Sequence, residues 1–242
     1  MKTQIFIFVF NRPDLFKKQI EFFKKYFVGE YQFNAVCDYR DDKYLNQFKQ
    51  LCEEEKVSFY SHKSEDNLSP SFYHGLSVTW AYENVMIKKC LNDYVLLVDH
   101  DMFLIDEFNL EEYMEGFDIS GCSQSRGHIN YVWPGLTILN ISKVKNISFN
   151  FLPCTIEGEQ LDTGGGTYFL LKELAFKPSE VEYPDTFNGI NLLENDDGYG
   201  FELHLDQKFL HFRNACSWHN NYNTSEKSKK VEVLYFILNS FA

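Results

Sequence analysis

Short apolar segments alternate with longer amphipathic segments through the first hundred residues, and this alternation restricts the fold more than any other feature. The apolar segments are rich in β-branched and aromatic side chains, which favour strands. The predicted strands are Gln4–Phe10, Phe33–Cys37, Val57–Tyr60 and Tyr94–Val98, and the predicted helices are Pro13–Phe27, Tyr44–Glu55 and Phe72–Cys90. This β-α-β-α-β-α-β order is typical of a parallel sheet with helices packed on its faces. We therefore expect an α/β fold.

The pattern is less regular in the second half of the chain. The predicted elements there are a short helix at Leu110–Glu115, strands at Tyr131–Leu139, Tyr168–Leu171 and Lys208–Phe212, and a helical turn at Lys172–Ala175. The apolar segment Val231–Phe241 predicts a helix packed on the domain, and the alternative is membrane contact through the lysines that precede it. No internal repeat or linker divides the 242 residues, so we expect one domain with two halves, 1–105 and 106–242.

The charge balance excludes one class of partner. The chain has 23 basic and 35 acidic residues, a formal net charge of −12, and so lacks the positive excess that neutralises nucleic-acid phosphates. No apolar run approaches the ~20 residues of a membrane span, and the N-terminal apolar run is too short for a secretory signal. We therefore expect a cytoplasmic protein with no transmembrane segment, whose six scattered cysteines are buried free thiols.

The strongest candidate for a functional site is Asp99-His100-Asp101, directly after the most apolar predicted strand. Residues two apart in an extended segment point to the same side, so the two carboxylates are expected to converge. Open α/β sheets bind ligands at the carboxyl ends of their strands, and paired carboxylates suit Mg²⁺ or Mn²⁺. We therefore predict that Asp99 and Asp101 are metal ligands; the alternative is a solvated strand end.

Three segments of residues 3–105 together resemble GT-A-type nucleotide-diphospho-sugar glycosyltransferases of the D-x-D family. They are Asn11-Arg12-Pro13-Asp14 after the first strand, Asp38 at the end of the second, and YVLLVDHD at Tyr94–Asp101. The resemblance implies a GT-A-like fold with a mostly parallel central sheet and flanking helices. It also implies that the first half is a Rossmann-like nucleotide-sugar-binding half and the second a smaller, acceptor-side half.

The same resemblance implies roles for single residues. Asn11, Arg12 and Asp38 are expected to contact the nucleotide, and Asp99 is expected to serve the donor as well as the metal. The polar loop with Asn67 and the helix start at Tyr73–Gly75 are expected near the nucleotide. A divalent cation, Mn²⁺ or Mg²⁺, is expected to bridge the donor diphosphate.

A second resemblance lies near the C-terminus, where His211–His219 reads HFRNACSWH. It resembles the late H-F-x-G-x-x-K-P-W segment of some glycosyltransferases of this fold, although Asn214 replaces the Gly and Cys216-Ser217 replaces Lys-Pro. The resemblance implies that His211 completes the metal site and that Arg213 or His219 lies near phosphate. The alternative for His211 is a core histidine under its strand.

Other candidates depend on local chemistry. Asp162 leads into Gly164–Gly166, whose glycines permit close approach to a ligand, and we predict that it is a sugar-contacting residue or the general base; the alternative is an ordinary Asp turn. Asp196-Asp197 is a second acidic loop, for which a solvated turn is the favoured interpretation. Trp133 is either a sugar platform or part of the core.

The leading hypothesis is a metal-dependent glycosyltransferase that moves a sugar from a UDP- or GDP-sugar to a hydroxyl of a glycan, lipid or protein. The alternatives are a sugar nucleotidyltransferase, disfavoured by the loop after the first strand, and a noncatalytic carbohydrate-binding module. Nine acids and no Lys or Arg lie between Asp93 and Asp118. An anionic diphosphate is therefore expected to bind there only after a divalent cation.

Overall fold

The computed structural model describes residues 2–39, 42–64, 67–183, 201–213, 215 and 224–241. The strands are β1 (Thr3–Val9), β2 (Phe27–Val28), β3 (Tyr31–Asp38), β4 (Ser58–His62), β5 (Tyr94–Asp99), β6 (Met102–Leu104), β7 (Phe108–Asn109), β8 (Ile119–Arg126), β9 (Ile129–Asn140), β10 (Cys154–Ile156), β11 (Glu159–Leu161), β12 (Phe176–Pro178), β13 (Val181–Glu182), β14 (Phe201–His204) and β15 (Phe209–Phe212). The helices are α1 (Pro13–Tyr26), α2 (Asp42–Glu55), α3 (Pro70–Ala81), α4 (Ile87–Lys89), α5 (Leu110–Tyr113), α6 (Ile141–Val144), α7 (Tyr168–Leu171) and α8 (Thr224–Ser240). A π-helical turn, Tyr82–Met86, joins α3 to α4, and a 3₁₀ turn, Gly165–Thr167, precedes α7.

The central sheet has seven strands in the order β12-β8-β9-β5-β1-β3-β4. Strand β1 pairs in parallel with β3 and β5, as β3 does with β4 and β12 with β8, whereas β9 runs antiparallel to β5 and β8. The prediction of an α/β fold with a mostly parallel central sheet and flanking helices is confirmed. Because β1, β3 and β5 are parallel, their carboxyl ends share one edge, where β3 ends at Asp38 and β5 at Asp99.

Strand β1 shows how the sequence covers both faces of this sheet. All seven of its residues are buried, and alternate side chains of a strand point to opposite faces. Ile5 lies in the apolar cluster that contains Phe16 of α1, and Phe6 lies in the cluster that contains Val78 of α3. The helices α1 and α3 therefore pack on opposite faces, as the continuous apolar run predicts.

A second sheet, with the order β13-β14-β15-β6, is antiparallel and connects to the end of β5. In this sheet His211 lies opposite Met102, and Glu202 lies opposite His211. Leu234 and Leu238 of α8 are buried in the apolar cluster that covers it, so the predicted packing of the C-terminal helix is confirmed. Among the described residues, none of the helices combines the length and the hydrophobicity of a transmembrane span.

One predicted strand is wrong. Tyr168–Leu171 is helix α7, and the residues after it form turns and a bend rather than the predicted helical turn at Lys172–Ala175. A four-residue apolar run has no periodicity that separates strand from helix. Here the preceding 3₁₀ turn directs the chain into a helix that buries Leu170 and leaves Phe169 exposed.

Candidate active site

A cleft of about 690 Å³ opens at the carboxyl ends of β1, β3 and β5. Four segments of the chain bring carboxylates to its described lining: Asp38, Asp99, Asp101, Asp162 and Glu202. Arg213 is the one Lys or Arg side chain among the described lining residues. Because several negative charges at one site repel an anion and attract a cation, this cleft favours a cation as its first ligand.

The D-x-D motif forms a turn rather than the extended segment that the sequence predicts. Strand β5 ends at Asp99, the next two residues turn, and β6 begins at Met102. Gln19 of α1 holds this turn by donating from Nε2 to the carbonyl oxygens of Asp99 at 2.7 Å and Met102 at 2.6 Å. Both carboxylates of the motif, Asp99 and Asp101, nevertheless line the cleft.

His74, in the first half of α3, lies against the first carboxylate of the motif. Its Nε2 is 2.9 Å from Oδ1 of Asp99. Burial by itself lowers the pKa of His74, but the charge and hydrogen bond of Asp99, with the charges of Asp101 and Asp162, outweigh burial and raise that pKa. Acids from two parts of the chain, Asp99 with Asp101 and Asp162, therefore all favour the protonated form of one imidazole.

The second carboxylate of the motif is paired with His211. Nε2 of His211 lies 3.6 Å from Oδ1 of Asp101, and Nδ1 lies 3.0 Å from Oε2 of Glu202. Burial lowers the pKa of His211, yet hydrogen bonds and charges of the two acids overcome burial and raise it to about 9. Burial raises the pKa of Glu202, but hydrogen bonds from His204 and His211 bring it to about 2. His211 is thus a cation between two anions when no metal is bound.

The donor set fits a divalent cation. Asp101 is 4% exposed and its pKa is lowered, because the hydrogen bond and charge of His211 outweigh the effect of burial, so it is ionised at neutral pH. Carboxylate oxygens with one imidazole nitrogen suit Mn²⁺ or Mg²⁺. The predicted trio is divided between two contacts, since Asp99 faces His74 while Asp101 faces His211. A tighter group within the described residues is Glu202, His204 and His211, whose ligand atoms lie within 4.8 Å of one another.

Asp162 lies in the cleft on a loop that several hydrogen bonds hold. Its Oδ1 accepts from the Thr163 amide at 2.8 Å, and its own amide donates to the Tyr131 hydroxyl at 3.3 Å. The Thr163 hydroxyl donates to the carbonyl oxygen of Ser71 at 3.0 Å, which joins the loop to the first turn of α3. The Asp162 side chain is exposed to the cleft, so a substrate can reach it.

Trp133 forms part of the cleft wall. The centroid of its ring lies 5.2 Å from that of His211, at an interplanar angle of 35°. A Cβ on Gly135 would lie 2.1 Å from the Trp133 ring, so that position accepts only glycine while the ring stays where it is. The ring is half-buried against the core and also lines the cleft, so its position is compatible with both a core residue and a platform for a sugar.

Three predicted nucleotide contacts do not line the cleft within the described residues: Asn11, Arg12 and Asn67. Arg12 instead donates to Asp14 at 2.7 and 2.9 Å, and to the carbonyl oxygen of Ala215 at 3.4 Å. A buried guanidinium needs a carboxylate partner, and the nearest one is two residues along the chain. Asp38 does line the cleft, and its Oδ1 accepts from the Ser64 amide at 3.0 Å. His219 and Asp196-Asp197 lie outside the described residues.

The sequence did not single out Glu202, and it pointed to His74 only as part of a helix start. Glu202 alternates with His204 in the segment F-E-L-H, which buries a Glu and a His on one strand. Alternating ionisable residues in a buried strand are unusual, because Glu is rarely buried without a partner. The F-E-L-H pattern could have identified Glu202 as a candidate, but only with the knowledge that β14 pairs with β15.

No protein-family model and no curated protein sequence matches the chain. Among solved structures, TarS of S. aureus, residues 1–349, is 14% identical over 74% of this chain and 58% of that chain, with a TM-score of 0.47. TarS 1–349 has been solved with UDP and with UDP-GlcNAc. The mannosyltransferase PcManGT from Pyrobaculum calidifontis, solved with GDP-Man and Mn²⁺, is 9% identical over 72% of this chain and 53% of that chain, with a TM-score of 0.48.

A putative glucose-1-phosphate thymidylyltransferase from Bacillus anthracis is 11% identical over 73% of this chain and 85% of that chain, with a TM-score of 0.43. The chain thus spans little more than half the length of the two glycosyltransferase structures, 58% and 53%. Because these identities do not exceed 14% and these TM-scores lie below 0.5, the function of this chain has to be argued from its own topology and cleft.

Proposed function

We propose that this chain is a metal-dependent glycosyltransferase of the GT-A type, which takes its sugar from a nucleotide-diphosphate donor. The observation that carries the proposal is the meeting of Asp38, Asp99, Asp101, Asp162 and His211 around one cleft at the carboxyl ends of parallel strands. Nucleotides bind at this edge of open α/β sheets. The donor is a UDP- or GDP-sugar, and the acceptor is a hydroxyl of a glycan, glycolipid or glycoprotein.

The cation is Mn²⁺ or Mg²⁺, and Asp99, Asp101 and His211 hold it. When bound, it stabilises the negative charge that develops on the departing diphosphate, without a proton donor. Gln19 keeps the D-x-D turn in place through two backbone carbonyls, so the two carboxylates are positioned before the ligand arrives. Preorganised ligands lose little conformational entropy on binding, which favours affinity.

Asp38 and Asp162 serve the two substrates. Asp38 ends β3 and contacts the base or ribose of the donor, a role that suits an acceptor of hydrogen bonds. Asp162 is exposed in the cleft and acts as the general base that takes the proton of the acceptor hydroxyl. The Trp133 ring supplies an apolar face on which a sugar ring packs.

Binding of the donor tests the metal dependence. UDP-glucose, UDP-GlcNAc and GDP-mannose are titrated calorimetrically, once with Mn²⁺ and once with EDTA. At least one donor is expected to bind with Mn²⁺ present, and none with EDTA. Asp101→Asn removes a ligand charge and is expected to weaken that binding by at least ~10-fold. Asp206→Asn is the matched control because Asp206 is exposed in the turn between β14 and β15. Glycan binding that persists in EDTA, with no donor binding in Mn²⁺, would overturn the proposal.

Asp162→Asn tests whether Asp162 acts as the general base rather than as a residue that binds the donor. Because the amide keeps the shape and loses the proton acceptor, donor affinity in Mn²⁺ should stay within ~3-fold while turnover falls by ~100-fold or more. Turnover is measured as release of free nucleoside diphosphate with simple glycosides as acceptors. Release of pyrophosphate from a nucleoside triphosphate and a sugar phosphate would instead indicate a nucleotidyltransferase. A variant with wild-type turnover would remove Asp162 from the mechanism.

A further inference from the structure

Glu202 has more polar contacts than any role proposed so far requires. It lies opposite His211 in the β14–β15 pair, and it is 9% exposed. Its Oε2 lies 3.0 Å from Nδ1 of His211 and 3.2 Å from Nε2 of His204, and its Oε1 lies 3.3 Å from Nε of Arg213. Three cationic or donor groups thus fix the position of one buried carboxylate.

The contact with His211 determines which ring nitrogen is available. A carboxylate accepts hydrogen bonds and does not donate them, so the Nδ1 that faces Glu202 carries a proton. An imidazole that keeps one proton on Nδ1 presents its lone pair on Nε2. Nε2 is the atom that faces Asp101, the second carboxylate of the D-x-D motif. A cation that displaces the Nε2 proton of His211 would therefore meet a lone pair that faces the cleft, while Glu202 keeps the other proton on Nδ1.

We propose that Glu202 is a positioning residue, which orients His211 so that Nε2 rather than Nδ1 serves as the metal ligand. His204 and Arg213 hold Glu202, and Glu202 holds His211. His211 then contacts the cation together with Asp101. Carboxylates that orient ligating histidines raise metal affinity by ~10- to 100-fold. The inference rests on the proposed metal-dependent function and extends it to a residue that does not touch the substrate.

A different arrangement of the same atoms is the main competitor. A cation among Glu202, His204 and His211 would use Nδ1 of His211 and make His204 a ligand. His204 is 0% exposed and does not line the described cleft, whereas His211 and Glu202 do. A cation that contacts a donor in the cleft is reached by Nε2 of His211 and not by His204, which favours the positioning role for Glu202.

The test measures Mn²⁺ itself, with the full chain and no donor present. Electron paramagnetic resonance of free Mn²⁺ gives the dissociation constant, and electron spin echo modulation detects the ¹⁴N of a bound imidazole. The wild type is expected to show both binding and ¹⁴N coupling, and His211→Asn is expected to lose the coupling. Glu202→Gln should weaken binding by ~10-fold or more with reduced coupling. The matched variant His204→Gln leaves the contacts of Glu202 with His211 and Arg213 in place, so its binding should stay within ~3-fold with full coupling.

Glu202→Asp provides a second test of the positioning role in case Glu202→Gln does not fold. It keeps the charge but withdraws the carboxylate by one methylene, so the 3.0 Å contact with Nδ1 is lost and Mn²⁺ binding should weaken in the same direction. Urea unfolding confirms that each variant is folded. Unchanged affinity and coupling in both Glu202 variants would overturn the positioning role, and loss of coupling in His204→Gln would replace it with the competing cation site. A wild type that binds no Mn²⁺ would instead refute the proposed function.

Discussion

Gly164 is the residue at which the loop of Asp162 meets the central sheet. Its φ is +93°, and a Cβ there would lie 2.0 Å from the carbonyl oxygen of Val132 in β9. Its amide donates to the carbonyl oxygen of Phe151 at 2.8 Å, and its own carbonyl accepts from the Thr167 hydroxyl at 2.7 Å. The loop is therefore anchored by a position that is compatible with glycine alone.

Gly164→Ala should destabilise the fold more than Gly158→Ala, its matched control. Gly158 has a similar φ of +86° but nothing within 4 Å of its Cβ position. The control should therefore lose only the backbone cost, about 1–2 kcal/mol in the free energy of unfolding, while Gly164→Ala should lose a further 1–3 kcal/mol from the clash. Urea unfolding of the two variants measures this difference. Equal losses would show that the loop moves away from β9 without cost.

Single residues of the predicted site differ in whether they line the cleft, and local chemistry explains the difference. Asp38, Asp99, Asp101, Asp162 and His211 all line the cleft as their positions suggested, although their catalytic and ligand roles remain predictions. Arg12 was placed near the donor by resemblance, yet a buried guanidinium pairs with the first available carboxylate, Asp14. Which of several charged groups an arginine pairs with depends on distances in the folded chain, and these cannot be read from a sequence.

Helix α8 shows how an element at the end of the chain stabilises the site from outside. Its buried side chains, among them Leu234 and Leu238, pack with Leu15 of α1 and Phe212 of β15. The hydroxyl of Tyr235 also donates to Oδ2 of Asp14 at 2.8 Å. Because β15 carries His211, the packing of α8 supports the strand that presents a proposed metal ligand.

Leu238→Ala should therefore cost about 2–5 kcal/mol of unfolding free energy, since a fully buried leucine leaves a cavity when it is truncated. Phe236→Ala is the control on the same helix, because Phe236 is 61% exposed and its loss should change stability by less than ~0.5 kcal/mol. Thermal and urea unfolding with the same probe give both values. Similar losses for the two variants would mean that α8 does not pack as the contacts describe.

At the scale of elements, the parallel half was more predictable than the remainder. Strands β1 and β5 are near-continuous apolar runs, so the local sequence pattern is sufficient to predict them. Strand β8 was not predicted, because its second half is polar, and β13 and β14 are too short to leave a periodic pattern. Strand β8 also pairs in parallel with β12, and β15 pairs with β6, so these parts of the sheets depend on partners that are distant in sequence.

Charge is the property of the whole molecule that bears on function. The net charge is −12, and the described cleft lining has five carboxylates and one Arg. We therefore predict that the cleft repels a free nucleoside diphosphate and binds it only together with a divalent cation.

The expected outcome is an inverted salt dependence. In EDTA, UDP and GDP should bind weakly, and their affinity should rise or stay constant when KCl is raised from ~20 to ~300 mM, because salt screens repulsion over a Debye length of ~10 Å. In Mn²⁺, affinity should fall with added salt, because the screened interaction is then an attraction. Equilibrium dialysis with labelled nucleotide measures both series. Tight binding in EDTA that weakens with salt would contradict the assignment of a repulsive cleft.

Local sequence patterns were sufficient to predict the parallel half of the sheet and the position of the D-x-D motif at its edge. Both are local properties, because side-chain alternation and strand order are encoded within a few tens of residues. Three features became visible in the folded chain alone: Asp101 turns toward His211, Glu202 contacts His211 from the other side, and Asp162 lines the same cleft. These contacts join residues from four segments of the chain, and their formation depends on the packing of β6, β14 and β15, which no local pattern specifies.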